Sequence, residues 1–258
     1  MTRFLHISSA VVGSVAVACI VFAGAVPGAA SAAGRTSAAA TVQVAAARVT
    51  SLAYVPAKRT LEYGMHGNDV RALQQRLAQL EYYPGAADGN FGSATLEAVW
   101  AFQEVQGLGA DGVIGPRTER ALVSPRAPQS RDPRGGALRV EVNLHLRVLL
   151  LYRDNNLSLV SHVSTGGGYY YCSDGSCSYA ITPTGHFATT DFMSGWVTVP
   201  LGQMYNPVFF IGTAYAIHGD TDVPLQPVSH GCVRIPMDIA AFFHTLVKAP
   251  GTPVYIYD

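Results

Sequence analysis

The apolar residues of this chain change their period once, and that change limits the folds open to it. Between residues 60 and 123 they recur every three or four positions: Val70, Leu73, Leu77 and Leu80 make one stripe, and Leu96, Val99, Trp100 and Phe102 another. From Leu138 onward they alternate instead, with Leu138, Val140, Val142 and Leu144 on one face of a strand. The chain therefore reads as α+β and multidomain: a small three-helix domain, then a mostly β domain of sandwich or barrel type with one late helix.

Local signals fill in both halves. Gly67-Asn68-Asp69 offers an N-cap to the first helix and Ser93 to the second, which Gly107-Leu108 ends. Pro116 stands at the start of a short third helix over 118–122. Two Asp-Gly turns, Asp88-Gly89 and Asp111-Gly112, are each followed by an apolar residue and a glycine, an internal echo. In the second half, Asp154-Asn155-Asn156 is a hairpin turn between the runs 147–152 and 157–165. Further strands are expected over 185–190, 196–200, 208–211, 215–218 and 254–257, with Trp196 in the core and Tyr205 just before the third of these runs. Residues 237–248 carry Ile239, Phe242, Phe243, Leu246 and Val247 at helical spacing.

The N-terminus has Arg3, then an apolar stretch, then Ala30-Ser31-Ala32, the pattern of a cleaved export signal over 1–32. Cleavage would leave no stable membrane anchor. Residues 33–56 read as a flexible leader, 57–124 as the helical domain, 125–136 as a stiff, hydrated Pro/Gly linker, and 137–258 as the β domain. Lys plus Arg and Asp plus Glu each number 17, so no basic footprint points to nucleic acid or an anionic membrane. Removal of the signal removes Cys19 and leaves three cysteines. Cys172 and Cys177 flank Ser-Asp-Gly-Ser, a turn-like spacer, so an oxidising compartment would pair them and leave Cys232 over as a reactive thiol. The other reading is three buried or reduced cysteines.

Cys232 lies in Ser229-His230-Gly231-Cys232-Val233-Arg234-Ile235, with Ile217-His218-Gly219 upstream. A thiolate becomes a strong nucleophile when a neighbour lowers its pKa or takes its proton, and an imidazole does both. A small residue before the nucleophile admits a substrate carbonyl, and its N–H can face a developing oxyanion. The segment reads as a cysteine acyl-transfer site. Spacing alone does not choose between His218 and His230 as the base. A zinc peptidase using His218, His230 and Asp220 or Asp222 is a rival reading, in which the cysteine would have no role.

Two resemblances sharpen this. "GNDVRALQQRL", "DGNFGSAT", "AVWAFQEVQGL" and "DGVIGPRT" resemble the three-helix peptidoglycan-binding domain, which implies a wall-binding module. "VSTGGG", "TPTGHF", "YAIHGD" and "SHGCVRIP", in that order, resemble the L,D-transpeptidase catalytic domain. That resemblance implies Cys232 as nucleophile and His218 as general base, oriented by the Gly219 carbonyl. It implies His230 as an assisting or substrate-orienting group, and backbone N–H groups of Gly231 and Cys232 as the oxyanion hole. Arg234 would anchor the loop or a carboxylate, Ser229 would fix the loop, and Tyr205 and Thr184 would contact substrate. The segment 169–179, with its two cysteines, departs from the family pattern and is read as a lid over the site.

The implied activity is formation of a Cys232 thioester with a peptidoglycan stem tetrapeptide, release of D-Ala, and transfer to an amine of another stem. The implied setting is the wall space of a bacterium, with carbapenem-type β-lactams as acylating inhibitors. L,D-carboxypeptidase activity from the same site, or wall binding without catalysis, are the alternatives. Stem peptides and glycan are the expected partners, for a monomer without cofactor or metal. Alanine-rich composition suggests a high-GC Gram-positive source.

Overall fold

The computed structural model describes residues 54–258, Asp174 excepted. The export signal and most of the expected leader lie outside the described residues. Its last part is held: the Tyr54 hydroxyl donates to Glu119 Oε2 at 2.8 Å and the Ala57 N–H to Glu119 Oε1 at 3.0 Å.

Three helices form the first half, α1 (Asn68–Gln79), α2 (Ser93–Gln106) and α3 (Pro116–Val123). Ser93 is not the cap expected of it. Gly92, in extended backbone, takes the N-cap position and Ser93 is already helical, its side chain making no cap bond. Gly107 ends α2 in the left-handed conformation, where the lack of a Cβ avoids strain. The echo between the Asp-Gly turns is a repeated hydrogen-bond cradle. Buried Gln74 donates to Asp88 Oδ1, the Asn90 carbonyl and the Thr95 hydroxyl, and accepts from the Gly89 N–H. Gln103 does the same with Asp111, Val113, Thr118 and Gly112. Each glutamine thus satisfies a turn that would otherwise bury unpaired backbone groups.

The second half holds two sheets. β1 (Arg139–Asn143), β2 (Val148–Arg153) and β3 (Asn156–His162) form a meander, and Asp154 and Asn155 adopt the positive φ that a two-residue hairpin demands. β4 (Tyr170–Ser173) and β5 (Ser176–Tyr179) are a separate hairpin. β6 (Gly185–Ala188), β7 (Asp191–Phe192), β8 (Trp196–Val199), β9 (Gly202–Ile211), β10 (Tyr215–Asp220) and β11 (Val233–Pro236) follow. Then come α4 (Met237–Leu246) and β12 (Pro253–Tyr257). One sheet has the order β3-β2-β1-β12-β6. The other runs β11-β10-β9-β7, with β8 also on β9. Val140, Val142, Leu149, Leu151, Val254 and Ile256 of the first sheet meet Val208, Phe210, Ile217, Val233 and Ile235 of the second, with Ile239 and Phe243 of α4, in one core. The late helix and sandwich-like layering expected from the pattern are present.

The helical half is not a module on a free tether. Val148, Leu150, Tyr152 and Val160, on the outer face of the first sheet, join the core of α1–α3 with Tyr82 and Phe102. This is why β2 is buried along both faces. Nor is the 125–136 segment simply hydrated. The Ser130 hydroxyl and Arg131 N–H donate to buried Glu141, which also pairs with Arg139 at 2.8 Å and accepts from the Tyr257 hydroxyl at 3.4 Å. Arg126 exchanges two hydrogen bonds with Gln106. An ion pair sealed inside needs these extra donors, and they strap the segment to the sheet. Trp196, expected in the core, is half exposed. It lies opposite in facing to Val197 and Val199, which take the buried side of β8.

Candidate active site

Parallel strands β10 and β11 set the site. Ile217 pairs with Val233 and His218 with Arg234, so Cys232 stands just before β11, level with Ala216 near the start of β10. A parallel pair needs a crossover, and residues 221–232 supply it. The crossover is pinned by the chain before the β4–β5 hairpin. The Ser229 N–H donates to the Thr165 carbonyl, and the Gly167 N–H to the Ser229 carbonyl, each at 2.9 Å.

Within the loop, the Ser229 hydroxyl donates to the Cys232 carbonyl at 2.6 Å and accepts the Gly231 N–H at 3.0 Å. The Thr182 hydroxyl donates to the Gly231 carbonyl at 2.8 Å and accepts from Gly166. Gly231 has φ +140°, and a Cβ there would lie 2.7 Å from the Ile181 carbonyl oxygen and 2.6 Å from Tyr215 Cε1. Only glycine fits. These contacts correct one expectation: the Gly231 N–H is directed at Ser229, not into the cleft.

His218 is buried, and its Nδ1 lies 2.9 Å from the Gly219 carbonyl. That contact places the proton on Nδ1 and leaves Nε2 as the basic nitrogen. Burial pushes the His218 imidazole below its ordinary pKa, against the raising effect of the Gly219 carbonyl and Asp220. Burial pushes the Cys232 thiol up, with the Ala216 N–H and Arg234 acting in the opposite direction. Both shifts favour the uncharged form of their group. Arg234 pairs with Asp220 at 3.1 Å and donates to the Asp222 carbonyl at 3.3 Å, which ties β11 to the crossover.

Cys232, His218, His230, Asp220 and Arg234 line one cleft of about 600 Å³, together with Met204 and Phe209 of β9. Its far wall is the β4–β5 hairpin, which contributes Tyr171, Ser176 and Ser178. Cys172 and Cys177 are bonded directly across that hairpin. His230 is flanked edge-on by Tyr171 at 4.6 Å and Tyr169 at 5.7 Å. Cys232 is the free cysteine among the described residues, and no three His, Cys, Asp or Glu side chains among them converge as metal ligands would.

Two expected substrate contacts lie elsewhere. Tyr205 alternates away from Met204, packing toward Gly219, the main core and Trp196. Thr184 is exposed in the approach to β6 and does not line the cleft. Sequence reasoning passed over Tyr171, Tyr215 and Thr182 as individual residues. Thr182 sits 49 positions from the carbonyl it holds, a separation no local pattern encodes.

A helical module packed on the back of a two-sheet domain, whose cleft is built around one free cysteine and a buried imidazole, defines a two-module protein with its chemistry in the β half. Residues 66–122 match the peptidoglycan binding domain family and residues 137–256 the L,D-transpeptidase catalytic domain family. The crystal structure of the L,D-transpeptidase (residues 123–326) from Xylanimonas cellulosilytica is similar to this chain at 37% identity and TM-score 0.73. The match covers 79% of this chain and 100% of that one. The chain belongs to the L,D-transpeptidase family. It is also similar to N-acetylmuramoyl-L-alanine amidase CwlM of Mycobacterium tuberculosis, 47% identical over 22% of this chain and 14% of that protein. The zinc D-Ala-D-Ala carboxypeptidase of Streptomyces albus G is 50% identical over 23% of this chain and 24% of its own length. The chain spans less than a quarter of the length of each of these two curated relatives.

Proposed function

We propose that Cys232 attacks the carbonyl of the third residue of a peptidoglycan stem tetrapeptide and forms a thioester. His218 Nε2 takes the thiol proton as the S–C bond forms, then delivers it to the departing D-Ala nitrogen. An amine of a second stem attacks the thioester and displaces the thiol, which links the two stems. The Gly219 carbonyl holds the imidazole in its working tautomer, Ser229 fixes the nucleophile loop, and Arg234 anchors that loop through Asp220 and Asp222. His230, set between two tyrosine rings at the cleft wall, orients the stem. The observation that carries this reading is the shared cleft of one free thiol and one buried, carbonyl-held imidazole.

The test is mass spectrometry of products from disaccharide-tetrapeptide, using the protein and its Cys232→Ala variant. A dimer lacking one D-Ala, made only when Cys232 is present, is the expected result. A tripeptide monomer alone would make the enzyme an L,D-carboxypeptidase, and no Cys232-dependent product would leave wall binding as the function. Incubated with a carbapenem instead, the protein is expected to gain a covalent adduct on Cys232 that the Cys232→Ala variant lacks, read by intact-protein mass spectrometry.

A further inference from the structure

An acyl transfer needs donors aimed at the oxygen that turns negative, and amides of the nucleophile loop are the usual source. Here one of the two expected amides is spent, since the Gly231 N–H donates to the Ser229 hydroxyl. Ser229 is buried and its own hydrogen goes to the Cys232 carbonyl, so this arrangement is part of how the loop holds its shape. The cleft offers a replacement. Tyr215, at the start of β10, lays its ring against the Cα of Gly231, where an added Cβ would come within 2.6 Å of Cε1, the atom next to the hydroxyl-bearing carbon. The residue lines the same cleft as Cys232, and its hydroxyl makes no hydrogen bond among the described residues. We propose that the Tyr215 hydroxyl donates a hydrogen bond to the carbonyl oxygen that Cys232 attacks.

The proposal rests on the acyl-transfer reading of Cys232. Sγ bonds to the carbonyl carbon, the C=O electron pair moves onto oxygen, and the thiol proton passes to His218. The phenol keeps its proton and shares it with that oxygen until the C–N bond breaks and the carbonyl re-forms. Burial and the proximity of Tyr171 and Cys232 hold the phenol in its protonated form, as a donor requires. Phe210 and Gly231 fix the ring from below.

Tyr215→Phe keeps the ring and its packing and removes only the hydroxyl. Three readouts are taken on the parent and the variant: thioester formation from disaccharide-tetrapeptide by rapid-quench mass spectrometry, KM, and the rate of Cys232 alkylation by iodoacetamide, which develops no oxyanion. The expected result is acylation slowed by about 10²-fold, the cost of one lost oxyanion donor, with KM and alkylation unchanged. Acylation at the parent rate would overturn the proposal. So would a parallel fall in alkylation, because the hydroxyl would then act on the thiol instead of the substrate. If the parent protein itself forms no thioester, it is the acyl-transfer reading that fails.

Discussion

The hydroxyl of Ser229 joins both ends of the nucleophile loop, closing a bridge between the Gly231 N–H and the Cys232 carbonyl. Ser229→Ala leaves two buried backbone groups unpaired, each worth about 1–3 kcal/mol. The expected outcome is a lower melting temperature and a larger fall in turnover than stability alone explains, with Ser229→Thr restoring most of both. Thermal unfolding and product formation on the same samples check it, and an alanine variant at parental turnover would remove the bridge from the site's design. At this scale the sequence was informative where chemistry is local. Ser229, His230, Gly231 and Cys232 are consecutive, and His218 sits beside the carbonyl that its ring contacts. It misled where direction matters: spacing cannot tell that the Gly231 N–H turns inward, nor that Tyr205 faces the core while Met204 faces the cleft.

Alternation along the β4–β5 hairpin assigns its two faces different tasks. Tyr171, Ser176 and Ser178 face the cleft, while the Cys172–Cys177 bond and the Tyr170–Tyr179 ring pair lie on the other side. A two-stranded hairpin is marginal by itself, and a cross-link closing so short a loop adds roughly 2 kcal/mol. Its anchors to the rest of the domain include the Tyr169 hydroxyl on the Val228 carbonyl and, at its base, the Gly167 N–H on the Ser229 carbonyl. Replacing both cysteines with serine is therefore expected to raise KM for disaccharide-tetrapeptide several-fold and to speed alkylation of Cys232, with the melting temperature of the whole domain little changed. An unaltered KM would mean that the hairpin only borders the cleft. The turn-like spacer between the cysteines was readable from the chain. That the hairpin forms the wall against His230 was not, because the rings of Tyr169 and Tyr171 reach it across some 60 residues.

Across the whole molecule, the seam between α1–α3 and the β domain carries two ionisable groups shifted in opposite directions. His162 of β3 is buried against Trp100 of α2, with Nε2 3.2 Å from the Pro224 carbonyl, and burial lowers its pKa from 6.5 to about 4. Arg147, itself paired with Glu104 of α2, adds to that lowering. Glu97 of α2 is raised from 4.5 to about 8, first by burial and then by Asp238 of α4. Between pH 4 and 6.5 the unfolded chain binds more protons at His162 than the folded one. Stability from this group is thus lost as pH falls through that window, by up to about 3 kcal/mol. Between pH 4.5 and 8 the folded chain binds more protons at Glu97, so stability falls as pH rises, by up to about 5 kcal/mol. The two effects oppose each other from pH 4.5 to 6.5, and single variants separate them. Because one apolar cluster runs through the seam, both halves should unfold together. Glu97→Gln, which mimics the protonated acid, is expected to raise the urea midpoint over the parent at pH 9 and to leave it nearly unchanged at pH 5. His162→Phe, which keeps a ring against Trp100, should flatten the loss of stability between pH 6.5 and 4. Midpoint differences that do not vary with pH would show that neither group titrates with folding. Two separate transitions would mean that the shared core does not couple the modules.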